Sequence, residues 1–252
     1  MAQLESELVR LTYNPVGRLE AISARLDDAP PEETLRWAFD EFGDRVAIAT
    51  GFGPEGVALI HMAVRANPRP NIFFLDTGFL FAETYELRRR IEDRYRIKIR
   101  AVQTAITPES QEEMFGPKLW SKDPDLCCRL RKLEPLKEEL SNLDAWITAI
   151  RRDQTEARRT ARVVEWDPRW QAVKINPLAG WSKQDVWAFI ARERVPYNPL
   201  HDAGYPSIGC LHCTRAVGPG EDDRAGRWSG RAKTECGLHS EAPKLVPLKV
   251  QF

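Results

Sequence analysis

The spacing of apolar residues changes near residue 45, and the change predicts where a sheet begins. Before it, the spacing is helical. In PPEETLRWAFDEF the apolar residues Leu35, Ala38, Phe39 and Phe42 fall three and four apart, so residues 1–43 read as a helical lead-in. After it, short β-branched and aromatic runs take over. RVAIAT (45–50), NIFFLD (71–76), KIRAVQ (98–103) and DAWITAI (144–150) predict four strands bounded by turn residues. Helical spacing separates them: GVALIHMAVRA (56–66), AETYELRRRIEDRY (82–95) and a stretch around 130–140. Two more β-like runs follow, RVVEW and QAVKI. Ser182-x-x-Asp185 then predicts a capping box ahead of a helix over VWAFIARERV.

Strands alternating with helices predict an α/β fold over residues 44–195: an open, mostly parallel twisted sheet with helices on both faces. Ligands of such sheets bind beyond the carboxyl ends of the strands, where the strand order reverses. That rule puts Thr50–Gly56, Asp76–Gly78 and Ile150–Gln154 on one rim. From residue 196 to the end at 252 the periodicity fades. The segment is rich in Pro and Gly as far as Gly237, reads as irregular, and holds three of the five cysteines. Long irregular stretches inside compact proteins are usually functional.

Composition narrows the function classes. Hydrophobic residues make up 42% and charged residues 29%, the balance of a folded protein, and 252 residues suit one structural domain. Lys+Arg and Asp+Glu both number 37, so the net charge is zero. Duplex binders rely on a basic excess, which argues against a nucleic-acid partner. The N-terminus is polar without an apolar h-region, and runs such as Ile72–Leu75 are far too short for a bilayer. The expectation is a cytoplasmic protein without a membrane partner.

The cysteines are Cys127, Cys128, Cys210, Cys213 and Cys236. An odd count without a leader argues against a disulfide scaffold. Cys210-x-x-Cys213 has zinc-ligand spacing, but adjacent Cys127 and Cys128 point apart and suit a single tetrahedral ion poorly. A [4Fe–4S] cube offers each thiolate its own iron, which moderately favours it over zinc. Burial as small hydrophobes fits least beside Lys122, Arg129, Arg131 and Lys132. Cys236, near Lys233 and His239, is either a nucleophile or an incidental thiol. The turn ATGFGPEG is either an anion cradle or an ordinary strand–helix connection. It is not a P-loop and lacks the S-G-G-x-D-S pattern of ATP pyrophosphatases. Basic runs at 129–132, 151–152, 158–159 and 224–227 adjoin these motifs, and they suit a small anion better than a polymer.

Taken in order, GFGPEGVAL, FLDTGFLFAETY, CCRLRKLEPL, IRRDQTEAR, INPLAGWSKQDVWAFI, VPYNPLHDAGYPSIGCLHCT, GRW and KTECGLH resemble the assimilatory adenylyl-sulfate and phosphoadenylyl-sulfate reductases. The likeness runs from about Val46 to His239. It implies an adenine nucleotide alpha hydrolase-like fold, and it is closest to the cluster-containing branch that reduces adenosine 5′-phosphosulfate to sulfite and AMP. By resemblance Cys127, Cys128, Cys210 and Cys213 hold one [4Fe–4S] cluster, and Cys236 attacks the substrate sulfur. Lys132, Arg224, Arg227 and His239 surround the phosphosulfate. Arg158, Thr50, Gly51, Phe52, Gly53, Leu75, Asp76, Thr77 and Gly78 match the nucleotide side. The first loop departs from relatives that carry more Ser and an Asp after the Glu. With no C-x-x-C beyond Cys213, the expected electron donor is a separate thioredoxin or glutaredoxin. A homo-oligomer is compatible with the sequence. The alternatives are a 3′-phosphorylated-substrate reductase (or dual specificity), an ATP-using sulfurylase subunit, and a zinc-bound nucleic-acid module.

Overall fold

The computed structural model describes residues 16–231, 233 and 235–239. Residues 1–15 of the expected lead-in, and 232, 234 and 240–252 of the C-terminal segment, lie outside that description. Helices α1 (Val16–Leu26) and α2 (Pro31–Phe42) come first. The expected alternation follows: β1 (Val46–Thr50), α3 (Pro54–Ala66), β2 (Ile72–Leu75), α4 (Ala82–Tyr95) and β3 (Arg100–Val102). The chain then leaves the sheet through α5 (Pro108–Phe115), α6 (Leu119–Lys122), α7 (Pro124–Cys128) and α8 (Glu134–Leu140). It returns as β4 (Ala145–Ile147), turns through β5 (Val164–Asp167) and β6 (Ala172–Ile175), and enters α9 (Lys183–Glu193).

The six strands lie in the order β3-β2-β1-β4-β6-β5, and every neighbouring pair is parallel except β5 with β6. Ile48 of β1 faces Ile72 on one side and Ile147 on the other. The chain winds outward from β1 to β3, then resumes on the opposite side of β1. The order therefore reverses between β1 and β4, and the crevice at their carboxyl ends is the natural ligand position.

Side chains alternate across the sheet because strand Cβ atoms do. Ile48, Ile72, Phe74, Ala145 and Ile147 enter the larger core with α2, α3, α4 and α9. Ala47, Phe73 and Trp146 enter a smaller core against Leu136 and Leu140 of α8, and Leu238 packs onto it. The C-terminal arm thereby reaches the sheet.

Two regions differ from the sequence expectation. The stretch around 130–140 is not one α-helix: a π-turn over Arg129–Leu133 joins α7 to α8. Helices α5 and α6 occupy a region where no element was expected. Their pattern is weak because α5 buries only Gln111; its start is set instead by Thr107, whose Oγ1 accepts from the Ser110 amide at 3.1 Å, with Pro108 next. The capping box of α9 forms as expected: Ser182 Oγ accepts from the Asp185 amide, and the Ser182 amide donates to Asp185 Oδ2 at 2.8 Å.

Candidate functional site

Two distant segments build one cysteine-lined cavity. Asp123 caps α7 by accepting from the Leu126 amide at 2.9 Å, and Pro124 follows, so the short helix ends on Cys127 and Cys128. The π-turn then brings Arg131 and Lys132 onto the same wall as the two cysteines. Such turns concentrate at functional sites because they reset the helical phase. From the other side Cys210 arrives on a β-bridge to Leu80, and the Leu211 amide donates to the Phe79 carbonyl at 2.8 Å. A 3₁₀ turn brings Cys213 back, its amide donating to the Cys210 carbonyl at 3.0 Å. All four cysteines line one small cavity, walled also by Phe79, Trp120 and Trp228. None is in a disulfide.

The cavity's charge is unusual. Burial, then the neighbouring Cys128, Cys210 and Cys213 sulfurs, push the Cys127 thiol up to about 12. Burial also raises Cys128 and Cys213. Burial alone would lower Lys132, but the sulfurs of Cys210, Cys128 and Cys236 outweigh it and hold the ammonium above the ordinary lysine range. Arg131 is 3% exposed; its Nε donates to Gln111 Oε1 at 2.7 Å and its Nη1 to the Thr77 carbonyl at 2.9 Å. Its third nitrogen, Nη2, is buried without a hydrogen-bond partner among the described residues. Four soft sulfur donors that crowd one another, beside a lysine and an orphaned guanidinium nitrogen, fit an anionic thiolate–metal group. A bound cation removes the cost of ionising each thiol. That fit is one of donor chemistry alone: among the described residues no group of three or more His, Cys, Asp or Glu is arranged to hold a metal ion.

Cys236, half-buried, stands on an arm anchored on both sides. Before it, Glu235 Oε2 accepts from Arg158 Nη2 at 3.1 Å and from Arg224 Nη2 at 3.2 Å. After it, Arg169 donates to the carbonyls of Gly237 at 3.3 Å and Leu238 at 3.2 Å, while its guanidinium pairs with Asp167. Gly237 has φ +88°, open to glycine at no steric cost, and a Cβ there would touch Leu133. His239 stacks on Trp146 with 5.6 Å between ring centroids. Its removal from water, then Arg158, Lys174, Arg169 and Arg224, hold its pKa well below the usual imidazole range. The ring is therefore neutral at pH 7, and an anion contact from it is a hydrogen bond, not an ion pair.

The other expected site residues separate into two groups. Arg227 lies over the Trp228 ring at 4.6 Å and donates to Ser207 and the Ile208 carbonyl, leaving its buried Nε without a partner among the described residues. Thr50, Gly51 and Gly53 lie at the carboxyl end of β1, with Thr50 Oγ1 accepting from the Phe52 amide at 3.1 Å. The Phe52 ring packs edge-on to Phe74 and is 2% exposed, so the backbone is what it offers a ligand. Leu75 ends β2. Asp76 is engaged by three elements, accepting from the Gly78 amide of its own loop, from Tyr85 Oη of α4 and from Gln103 Nε2 just beyond β3. Thr77, expected on the nucleotide side, has its Oγ1 3.4 Å from Cys210 Sγ, so this loop also borders the cysteine segment. Arg131 was visible in the sequence only as part of a basic run, although it follows Cys127 by the interval at which Lys132 follows Cys128. Glu235 was visible in the sequence only as a member of the KTECGLH motif, with no role, and Arg169 carried no sequence signal; the fold alone gives them their partners.

Comparison with known proteins agrees with this geometry. Residues 45–216 match the phosphoadenosine phosphosulfate reductase domain. A Halalkalibacterium halodurans protein named adenosine 5′-phosphosulfate reductase is 44% identical over 88% of this chain and 96% of its own. A Gloeobacter violaceus protein named phosphoadenosine 5′-phosphosulfate reductase is 45% identical over 88% of this chain and 93% of its own. The crystal structure of phosphoadenylyl-sulfate reductase from Candida auris, a phosphate complex, superposes with a TM-score of 0.68 at 30% identity, covering 79% of this chain and 96% of that one. Sequence, sheet order and crevice converge, and the chain belongs to the phosphoadenosine phosphosulfate reductase family.

Proposed function

We propose that this chain reduces adenosine 5′-phosphosulfate to sulfite and AMP in assimilatory sulfate reduction, with a thioredoxin-type dithiol as electron donor. The observation that carries the reading is the join between two features: a cavity lined by four cysteines and Lys132, and a fifth cysteine on an arm whose neighbours contact Arg158, Arg224 and Arg169. Cys127, Cys128, Cys210 and Cys213 would hold a [4Fe–4S] cluster. When bound, the cluster supplies a structural and electrostatic element beside the reacting anion.

The chemistry runs through side chains. The phosphosulfate carries charge on both sides of the bond to be broken. Arg224, Arg227, Arg158 and Lys132 neutralise it and hold the charge that develops on AMP. The Cys236 thiolate attacks the sulfur, an S–S bond forms, the S–O bond to phosphate breaks, and AMP leaves with the electron pair. A thiolate of the donor then attacks Cys236 Sγ of the S-sulfocysteine and expels sulfite. The donor's second thiol displaces Cys236 as a thiolate, so the donor becomes a disulfide and has supplied two electrons. His239 stays neutral and hydrogen-bonds the substrate.

Incubating the protein with adenosine 5′-phosphosulfate and no reductant tests the reading. One sulfite's mass should appear on the peptide containing Cys236, with one AMP released. An adduct on any other cysteine, or AMP release without an adduct, refutes it. About four irons with matching sulfide per chain after anaerobic purification separates the cluster from zinc. The Gloeobacter relative gives the 3′-phosphorylated substrate a specific claim, and turnover of the two sulfonucleotides side by side decides between them.

A further inference from the structure

Glu235 is the one described carboxylate that hydrogen-bonds Arg158 and Arg224, two of the cations assigned above to the substrate. Its Oε2 accepts from both guanidinium groups, and Thr155 Oγ1 lies 3.4 Å from Oε1. The Glu235 and Arg158 side chains are each only 10% exposed, so this is an enclosed ion pair. Lys132 and Arg227 add positive charge nearby, while Arg169 and Lys174 are already paired with Asp167 and Glu165. An enclosed, mostly cationic site needs an anion when substrate is absent, and Glu235 is placed to be that anion.

We propose that Glu235 is an internal stand-in for the substrate's anion. It holds Arg158 and Arg224 in the empty enzyme, gives them up when the sulfonucleotide arrives, and so ties substrate binding to release of the arm that bears Cys236. The inference rests on the assignment of these arginines to the substrate.

The geometry explains why the release is local. Glu235 precedes Cys236, while Gly237 and Leu238 follow it and are gripped by Arg169, itself braced by Asp167. Leu238 packs on the smaller core and His239 stacks on Trp146. Loss of the two Glu235 contacts loosens only the stretch between Lys233, which stays paired with Asp125, and the Gly237–Leu238 anchor. The nucleophile then pivots about Gly237, the residue at φ +88°. The arm moves without undocking, and it moves only when an anion has replaced the carboxylate. Glu235 acts in this scheme as a positioning residue that opposes binding. An internal competitor lowers apparent affinity by the fraction of molecules left open, so a latch closed nine-tenths of the time weakens binding about tenfold.

The test uses the cluster-loaded protein in a Cys236→Ser background, where adenosine 5′-phosphosulfate binds without forming an adduct. Its dissociation constant is measured by calorimetry for Glu235→Gln, Glu235→Asp, Arg158→Ala and Arg224→Ala. Glu235→Gln should bind about three- to tenfold tighter, because the isosteric amide loses the charge that competes. A residue that merely props the site open would give weaker binding on removal. Glu235→Asp keeps the charge on a shorter stem that reaches the arginines less well, so it should also tighten binding, by less; it serves if the Gln variant fails to melt cooperatively. Unchanged or weaker binding in the folded Glu variants, with weaker binding in both Arg variants, overturns the proposal alone. Unchanged binding in both Arg variants overturns the site assignment, and the proposal with it.

Discussion

Lys132 and Cys236 show how much of the chemistry depends on placement. A free thiol with pKa near 8.5 is roughly 3% thiolate at pH 7, and lowering that pKa to about 6.5 raises the fraction roughly 25-fold. A Brønsted slope near 0.5 gives back about tenfold of that in nucleophilicity, leaving a net gain of only two- to threefold. Well-oriented reactants reach effective molarities of roughly 10⁵ M or more, so the arm contributes far more by aiming the sulfur than by acidifying it. Lys132 is different, because its charge is held in place by the sulfurs around it. Removing a charge-assisted contact costs about 1.5–3 kcal/mol, so Lys132→Ala should lower kcat/KM roughly 10- to 150-fold. Steady-state assays of Lys132→Ala matching the parent would remove it from the anion clamp. His239 makes a pH prediction whose sign follows from its depressed pKa. Below the unfolded value of about 6.5 the unfolded chain binds a proton that the folded arm excludes, so stability falls as pH falls. Hydrogen exchange of residues 235–239, corrected for intrinsic rate, should rise from pH 7.5 to 5.5, and His239→Asn should flatten the rise. A flat profile in the parent would uncouple the imidazole from arm docking.

Among the elements, the π-turn and the cysteine loop matter most. The helical run from Pro124 to Leu140 looks continuous by periodicity, yet the turn over Arg129–Leu133 is what puts Cys127, Cys128, Arg131 and Lys132 on one wall. An ordinary α-helical turn would set Lys132 one turn beyond Cys128; the wider turn still leaves the two on adjoining faces. The loop before Cys210 has a sharper constraint. A Cβ on Gly209 would overlap the guanidinium of Arg227, so a side chain there displaces that arginine. Because the guanidinium ends a flexible side chain, Gly209→Ala should move Arg227 at the low end of the overpacking cost, about 1 kcal/mol. Activity should fall while the sheet stays intact. Normal kinetics together with an unchanged melting temperature would show that Arg227 does not need this position.

At the scale of the whole molecule, the four cysteines face one another across the seam between the α6–α7 region and the segment after α9, which is also closed by Trp120 stacked on His212 at 4.0 Å, by Arg231 donating to Ser121 and by Lys233 paired with Asp125. On the proposed cluster assignment, anaerobic chelation of its iron should lower the melting temperature and raise hydrogen exchange in residues 119–133 and 207–231, leaving β1, β2 and β4 protected. Uniform loss of protection would mean that the metal stabilises the whole sheet instead. Local order is where the sequence alone was decisive. The period-2 and period-3.6 runs, the capping box at Ser182 and the cysteine spacing are all set by near neighbours, so strands, helices and the identity of the chemical groups could be read without a fold. Which groups meet is a different kind of fact. Glu235 reaches Arg158 and Arg224, Arg169 reaches the carbonyls beyond Cys236, and Thr77 turns toward Cys210 only because the strand order reverses between β1 and β4 and the C-terminal arm crosses that crevice. Charge complementarity between residues far apart in sequence leaves no periodic trace. Packing alone brought those partners together.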